Sequence, residues 1–414
     1  MVCTIHQPSE SVFRLFTHLL LLKKGGEVVY FGEIGENYAQ MRGYFEGLGY
    51  SLPDRVNPAD WMLEICKNPK QDLVEEYKRS ELYADAHNKV GKLCPSGVQP
   101  PTFSTVYATP VTQQIYLKTQ RDWKTWWRNP ELCKTATIGS LFLGLLMGTT
   151  YWQVDDHQSG VYERQTFLYF SALFSALGSL VAQPVIFAER AVFFRERAAG
   201  SYRSFVYLVG LQLTMLPWNT IGAILYASTS YWMTGLRPGA GHFAFFTVVY
   251  YVNILFSYTF SQFLAFMSPS GAVAAALNAT FNTLFNLFGG FLILYKNFPV
   301  YWIWMFWVSP VHYTLEALAI NEFLGQDFYC DDDEEIPIPV GVVDPYEPAE
   351  GDNIIFEPYC TYETGEQVLD DVKGLSYSTE EVTKFRNLGI LLGMYVGMIG
   401  LGFAALKWRQ TIKR

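Results

Sequence analysis

Six predominantly apolar stretches of this chain contain no Asp, Glu, Lys or Arg: 135–154, 165–188, 204–236, 238–295, 297–315 and 387–406. A helix needs about 20 apolar residues to cross a bilayer. The fourth stretch has room for two crossings with a turn between them. Hydrophobic residues make up 50% of the chain and charged residues only 17%, where about a quarter is usual for a soluble protein. A mean hydropathy of +0.10 conceals this, because the charges are segregated. The pattern excludes a simple soluble enzyme, a nucleic-acid binder and a secreted mini-protein. It predicts a mainly α, polytopic membrane protein with a water-exposed N-terminal piece.

The net charge of −9 divides unevenly. Residues 321–385 hold 18 acidic residues against Lys373 and Lys384, which is −16, and the remainder is +7. Basic residues cluster at Arg121, Lys124 and Arg128, at Arg190, Arg195, Arg197 and Arg203, and at Lys407, Arg409, Lys413 and Arg414. Positive flanks favour the cytoplasmic side. The topology that follows has six transmembrane helices, near 132–153, 165–188, 204–233, 242–267, 272–295 and 387–407. Both termini are then cytoplasmic and the acidic loop is outside. The run 297–315, with Pro299, Pro310 and Tyr301-Trp302-Ile303-Trp304-Met305-Phe306-Trp307, reads as re-entrant or interfacial, since a seventh crossing would invert the loop and Trp and Tyr favour the membrane boundary. No signal peptide is visible: 19–22 is too short an apolar run and lacks a cationic start.

Of six cysteines, Cys330 and Cys360 fall in the outer loop. In an oxidising compartment they are expected to pair, closing a loop worth roughly 3–4 kcal/mol on the chain-entropy model. Two free thiols or a bridge to a second subunit are the alternatives. Asp331-Asp332-Asp333-Glu334-Glu335 lacks the spaced ligands and turn glycine of a calcium loop, so it reads as a solvated acidic face and no metal is expected. The sequon at Asn278 lies inside the fifth helix.

The N-terminal residues differ. Residues 2–5 read as a buried strand stub, 11–16 as helix, 19–22 and 28–31 as strands around a Lys24-Gly25-Gly26-Glu27 turn. This order suggests the edge of an α/β domain too small to be complete. Cys3-Thr4-Ile5-His6-Gln7-Pro8-Ser9, Val29-Tyr30-Phe31-Gly32 and Asn57-Pro58-Ala59-Asp60-Trp61-Met62-Leu63-Glu64 resemble the distal part of an ABC ATPase domain of the G subfamily. Val192-Phe193-Phe194-Arg195-Glu196-Arg197-Ala198-Ala199-Gly200-Ser201-Tyr202 resembles that family's first cytoplasmic loop. Asn321-Glu322-Phe323-Leu324-Gly325 resembles the segment after its re-entrant helices. The resemblance spans nearly the whole chain and is nearest the C-terminal half of full-size pleiotropic drug resistance transporters.

That resemblance implies an ABC-2, G-type exporter fold with a truncated α/β ATPase remnant at residues 1–72. A linker follows at 73–110, then a transmembrane domain at 111–325 comprising an elbow helix, five helices and the re-entrant segment. The acidic extracellular loop is 326–385, and the sixth helix with its tail is 386–414. It implies a plasma-membrane pump using ATP and Mg²⁺ in the full-length transporter, with the N-terminal half or a separate ATPase as partner. The cargo would be an amphipathic xenobiotic or a lipid. No G-x-x-x-x-G-K-[ST] occurs in the sequence, nor a signature or Walker B stretch, so no independent ATPase and no cofactor of its own are expected.

The resemblance also implies roles. His6 would be the switch histidine reaching the γ-phosphate once the missing half is supplied; an ordinary strand-end histidine is the alternative. Arg195, Glu196 and Arg197 would couple ATPase closure to the helices, besides anchoring the loop inside. Residues 112–127, with Ile115, Leu117, Trp123, Trp126 and Trp127 among Lys118, Arg121 and Lys124, form an amphipathic stretch suited to the inner interface, matching the elbow helix. The substrate path would run between helices two and five, past Phe170, Phe174, Leu177, Asn282, Thr283 and Asn286, with a valve at Phe291 and Leu292. Helix packing explains the same stripe equally. A histidine-based membrane enzyme, a permease-like subunit lacking its own ATPase, and an unproductive fragment are the rival readings. For the first, His242 has no evident partner and His312 has only Glu316 one turn on.

Overall fold

Two chemically different stretches fold as separate units, Met1–Ser104 and Thr105–Arg414. The computed structural model describes residues 2–6, 8–54, 56–93, 105, 107–293, 295–329, 336–339, 356–359, 362–371 and 378–408.

In the first unit α1 (Glu10–Phe13) leads into an antiparallel hairpin, β1 (His18–Leu22) and β2 (Val28–Glu33). Gly25 and Gly26 make the turn with φ of +108° and +85°, where a side chain would be strained. Leu21 faces Tyr30 across the ladder and both are buried, while Leu20 and Phe31 on the other face are exposed. Helices α2 (Ala39–Gly47) and α3 (Pro58–Lys67) cover the buried face. Phe45 sits among Tyr30, Tyr44 and Trp61. Asn57 caps α3: its side-chain oxygen accepts from the Ala59 amide at 3.1 Å, and its amide donates to the Pro8 carbonyl at 2.8 Å.

Residues 2–5 differ from expectation. They form no strand and are exposed; among the described residues no strand pairs with them. The span expected as linker also differs. Asp72 caps α4 (Leu73–Arg79), whose Leu73, Val74 and Tyr77 are buried, and α5 (Glu81–Leu93) follows.

The second unit is a helical bundle. It comprises α6 (Val111–Arg128), α7 (Pro130–Thr150), α8 (Gln158–Ala198), α9 (Ser204–Thr234), α10 (Ala240–Met267) and α11 (Gly271–Leu287). Beyond them come α12 (Ile303–Val308), α13 (Pro310–Phe323), a short β3 (Ile336–Pro339) and β4 (Phe356–Tyr359) ladder, α14 (Gly365–Asp371) and α15 (Glu381–Trp408). Among the described residues, α8, α9, α10 and α15 are long and apolar enough to cross a membrane. The 41 residues of α8 extend it to roughly 60 Å, well past a bilayer core.

The fifth predicted helix is shorter than its apolar run. It stops at Leu287, where Phe288 and the Gly289-Gly290 pair turn the chain, Gly290 at φ +97°. Its 17 residues span about 25 Å. The run 297–315, read as re-entrant or interfacial, is divided at Ser309, which ends α12 and begins α13, and whose hydroxyl donates to the Phe285 carbonyl of α11 at 2.7 Å. Cys330, Cys360 and the acidic run 331–335 lie outside the described residues.

Candidate functional site

The bundle turns polar residues inward. On α8, Ser171, Ser175, Ser179 and Gln183 recur every four residues and all are buried. The Asn253 amide of α10 donates to Ser175 Oγ at 2.7 Å. Ser261 of α10 bonds the Ser179 carbonyl and accepts from Asn278 of α11, both at 3.2 Å. Gln183 donates to the Ala274 carbonyl at 3.0 Å. This seam fixes how α8, α10 and α11 meet, because a buried polar group without a partner is costly.

The predicted path residues separate. Phe170 stacks on Phe174 at 5.8 Å between ring centres, and Phe291 stacks on Tyr169 at 4.6 Å. Leu292 is exposed. The Asn282 amide donates to Asn278, the Asn286 amide donates to the Asn282 carbonyl, and Thr283, exposed, bonds back to the Ala279 carbonyl. Phe174 and Leu177 instead line a cavity with α7, α9 and α10 that none of Asn282, Thr283 and Asn286 reaches.

At the other end of α8 a charged knot joins three elements. Glu196 accepts from Arg121 of α6 and, at 2.6 Å, from the hydroxyl of Tyr202 in the turn before α9. Arg195 is exposed and Arg197 half-buried. Arg190 donates to the Ala265 and Ser268 carbonyls at 2.6 and 2.8 Å, closing the C-terminus of α10. On α6 the face packed against the bundle is largely polar. Gln114, Lys118, Asp122 and Trp126 form the buried stripe, while Leu117, Trp123 and Trp127 are exposed. Lys118 and Asp122 pair, each side chain only 2% exposed. Burial pushes the Asp122 carboxyl up and the Lys118 ammonium down, each against the pull of its partner.

The opposite end carries a second knot that the sequence reading missed. Arg164, at the start of α8, donates to Glu322 of α13 at 2.5 Å and to Asp156 at 2.6 Å. Glu322 also accepts from the Arg237 backbone amide in the α9–α10 turn. The only sequence signal was Arg164 bordering the apolar run 165–188.

His6 is exposed. No group of three His, Cys, Asp or Glu able to hold a metal occurs among the described residues. No G-x-x-x-x-G-K-[ST] phosphate loop occurs in this sequence.

Residues 113–323 match the family model described as ABC-2 type transporter, and residues 6–91 match a second model with that description. The chain is 32% identical, over 99% of its length, to ABC transporter G family member 2 of Dictyostelium discoideum, and covers 31% of that protein. It is 33% identical, over 78% of its length, to ABC transporter G family member 42 of Oryza sativa subsp. japonica, and covers 22% of it. To ABC transporter G family member 36 of Arabidopsis thaliana it is 32% identical over 78% of its length, covering 23% of that relative. It thus spans a third or less of the curated relatives it matches. With the matched model covering half the chain and the bundle it describes, the chain belongs to the ABC-2 type transporter family.

Proposed function

We propose that this chain is the C-terminal membrane half of a full-size, pleiotropic drug resistance type G-family pump. In this reading it moves amphipathic xenobiotics or lipids across the plasma membrane. The carrying observation is the knot of Arg121, Glu196 and Tyr202, which binds the elbow helix, the end of α8 and the start of α9 into one piece. A push delivered there by a nucleotide-hydrolysing partner reaches three helices at once. Residues 1–72 are then the tail of an ATPase domain completed by sequence upstream, and His6 acts only in that completed domain. Helices α7 and α11 supply the fifth and sixth crossings, and both termini are cytoplasmic. Cys330 and Cys360 pair outside. The cargo path lies between α8 and α11, closed by Phe291 and Leu292.

The test uses inside-out vesicles carrying the full-length transporter and a lipophilic fluorescent dye. Uptake is expected to require ATP. Arg121→Ala and Glu196→Ala are each expected to lower uptake about tenfold while leaving nucleotide hydrolysis within about twofold. Uptake indifferent to ATP depletion would sink the ATP-coupled reading. Full uptake in both variants would sink the coupling knot.

A further inference from the structure

Helix α6 keeps one face against the bundle, the stripe of Gln114, Lys118, Asp122 and Trp126. Its opposite face is bare. Tyr116 is 65% exposed and Trp127 64%, and Trp123, Lys124 and Arg128 are exposed beside them. Large aromatic side chains left uncovered together mark a surface that meets a partner.

The position of this face narrows the partner. Trp123 and Trp127 both stack on Trp218 of α9, with ring centres 5.4 and 5.7 Å apart. A Cβ added at Gly222 of α9 would lie 3.0 Å from the Ser140 hydroxyl oxygen of α7, and one at Gly148 of α7 would lie 2.7 Å from Met233 Cβ of α9. The two helices therefore run side by side in the same direction. Trp218 is one turn before Gly222, which sets it level with the first residues of the charge-free run 135–154. Indoles gather at that boundary between hydrocarbon and headgroups.

The charge on the face narrows it further. Trp123 and Trp127 are four residues apart, and so are Lys124 and Arg128, so each pair forms a stripe and the two stripes adjoin. Asp122 is the one acidic residue of α6, and it is on the covered side. Among the described residues the ion pairs of α6 join Lys118 to Asp122 and Arg121 to Asp122 and Glu196; none includes Lys124 or Arg128. The bare face is thus cationic and aromatic at once.

We propose that this face binds the headgroup of an anionic phospholipid. Lys124 and Arg128 hold the phosphate, and Trp123 and Trp127 lie along the glycerol and the upper acyl chains. A zwitterionic lipid suits the indoles equally but brings its own ammonium to the two cations. An acidic soluble protein would answer the cations and leave the indoles without hydrocarbon. The inference rests on the bundle lying in a bilayer, and on neither ATP coupling nor a second half, so it stands or falls apart from the transport reading.

The test uses the full chain in phosphatidylcholine nanodiscs containing a few mole percent of phosphatidylglycerol or phosphatidylcholine with a diazirine in the acyl chain. After illumination, lipid adducts are mapped by peptide mass spectrometry. Adducts around Val396, exposed in the middle of α15, give the reference for lipid contact without preference. Each cation near an anionic surface contributes up to about fivefold in affinity, so α6 is expected to take about tenfold more phosphatidylglycerol than phosphatidylcholine. High salt should erase the difference. Lys124→Gln with Arg128→Gln should bring the two lipids within about twofold, while Lys124→Arg with Arg128→Lys should keep the preference. Should the glutamine variant fail to fold, the salt series on the wild type carries the test. Equal yields from the two lipids on α6, the same ratio around Val396 as on α6, a preference that survives high salt, or one that survives in the folded glutamine variant each overturns the proposal.

Discussion

Both units bury apolar side chains, but only the second buries polar ones as well. Among the described residues 2–93, no Asp, Glu, Lys, Arg, His, Asn, Gln, Ser or Thr side chain is buried; the interior is Val29, Tyr30, Met41, Phe45 and their apolar neighbours. In the bundle, Arg164, Gln183, Asn253, Asn278 and Glu322 are buried, while Ile138, Phe142, Val396 and Leu401 are exposed. A water-facing domain gains by hiding apolar surface. A lipid-facing one gains nothing from that, so polar pairing and close packing of small residues must choose the neighbours. The contrast yields tests in descending size.

The largest attacks the polar interior. Glu322→Leu strips Arg164, itself 2% exposed, of its buried carboxylate partner. Breaking a buried ion pair costs up to about 3–5 kcal/mol, and Asp156, which stays on the guanidinium at 2.6 Å, offsets part of it. Thermal unfolding of the full chain in detergent should show a large drop for Glu322→Leu. The double leucine variant, Arg164→Leu with Glu322→Leu, should recover most of it. A single variant as stable as wild type would mean that the bundle does not depend on its buried charges.

Much of the bundle was legible and much of its chemistry was not. Charge-free runs located α9 and α10 to within two residues, because hydropathy reads lipid exposure directly. They undershot α8, whose helix continues through Glu189–Arg197 where charge replaces apolarity, and overshot α11, which stops where Gly289 packs 2.7 Å from Val311 for any added Cβ. The amphipathic pattern of α6 was visible, yet its polar face is the inner one: pattern alone does not say which solvent a face meets. The Arg121–Glu196 and Arg164–Glu322 pairs join residues 75 and 158 positions apart, beyond any local signal. In the first unit the hairpin was legible from its glycines, and residues 2–5 were mistaken because a strand exists only where a partner does.

The next test sharpens the packing side of the contrast. Gly144 lies against the Tyr226 backbone and Thr229 of α9, so Gly144→Leu forces the two helices apart. Overpacking of this kind costs about 1–3 kcal/mol. Gly139→Leu, five residues away on the same helix, projects into open space and should cost under about 0.5 kcal/mol. Equal unfolding midpoints for the two leucine variants would refute small-residue packing as what holds α7 to α9.

The smallest effect belongs to the first unit, where polar side chains work at element ends rather than in the core. Asn57 performs two bonds with one amide: the oxygen caps α3 at the Ala59 amide, and the nitrogen holds the Pro8 carbonyl. Asn57→Ala loses both, and a lost cap costs about 1 kcal/mol. Asn57→Asp keeps the acceptor, and its charge favours the helix N-terminus, but it cannot donate to Pro8. Hydrogen exchange on the full chain separates the two bonds. Faster exchange of the first-turn amides of α3 is expected in Asn57→Ala and not in Asn57→Asp. If Asn57→Asp instead exchanges as fast as Asn57→Ala, the bond to Pro8 is what holds the start of α3, and the cap is secondary. The polar work of this unit would then lie in joining distant segments, as it does in the bundle, and the contrast between the two would narrow.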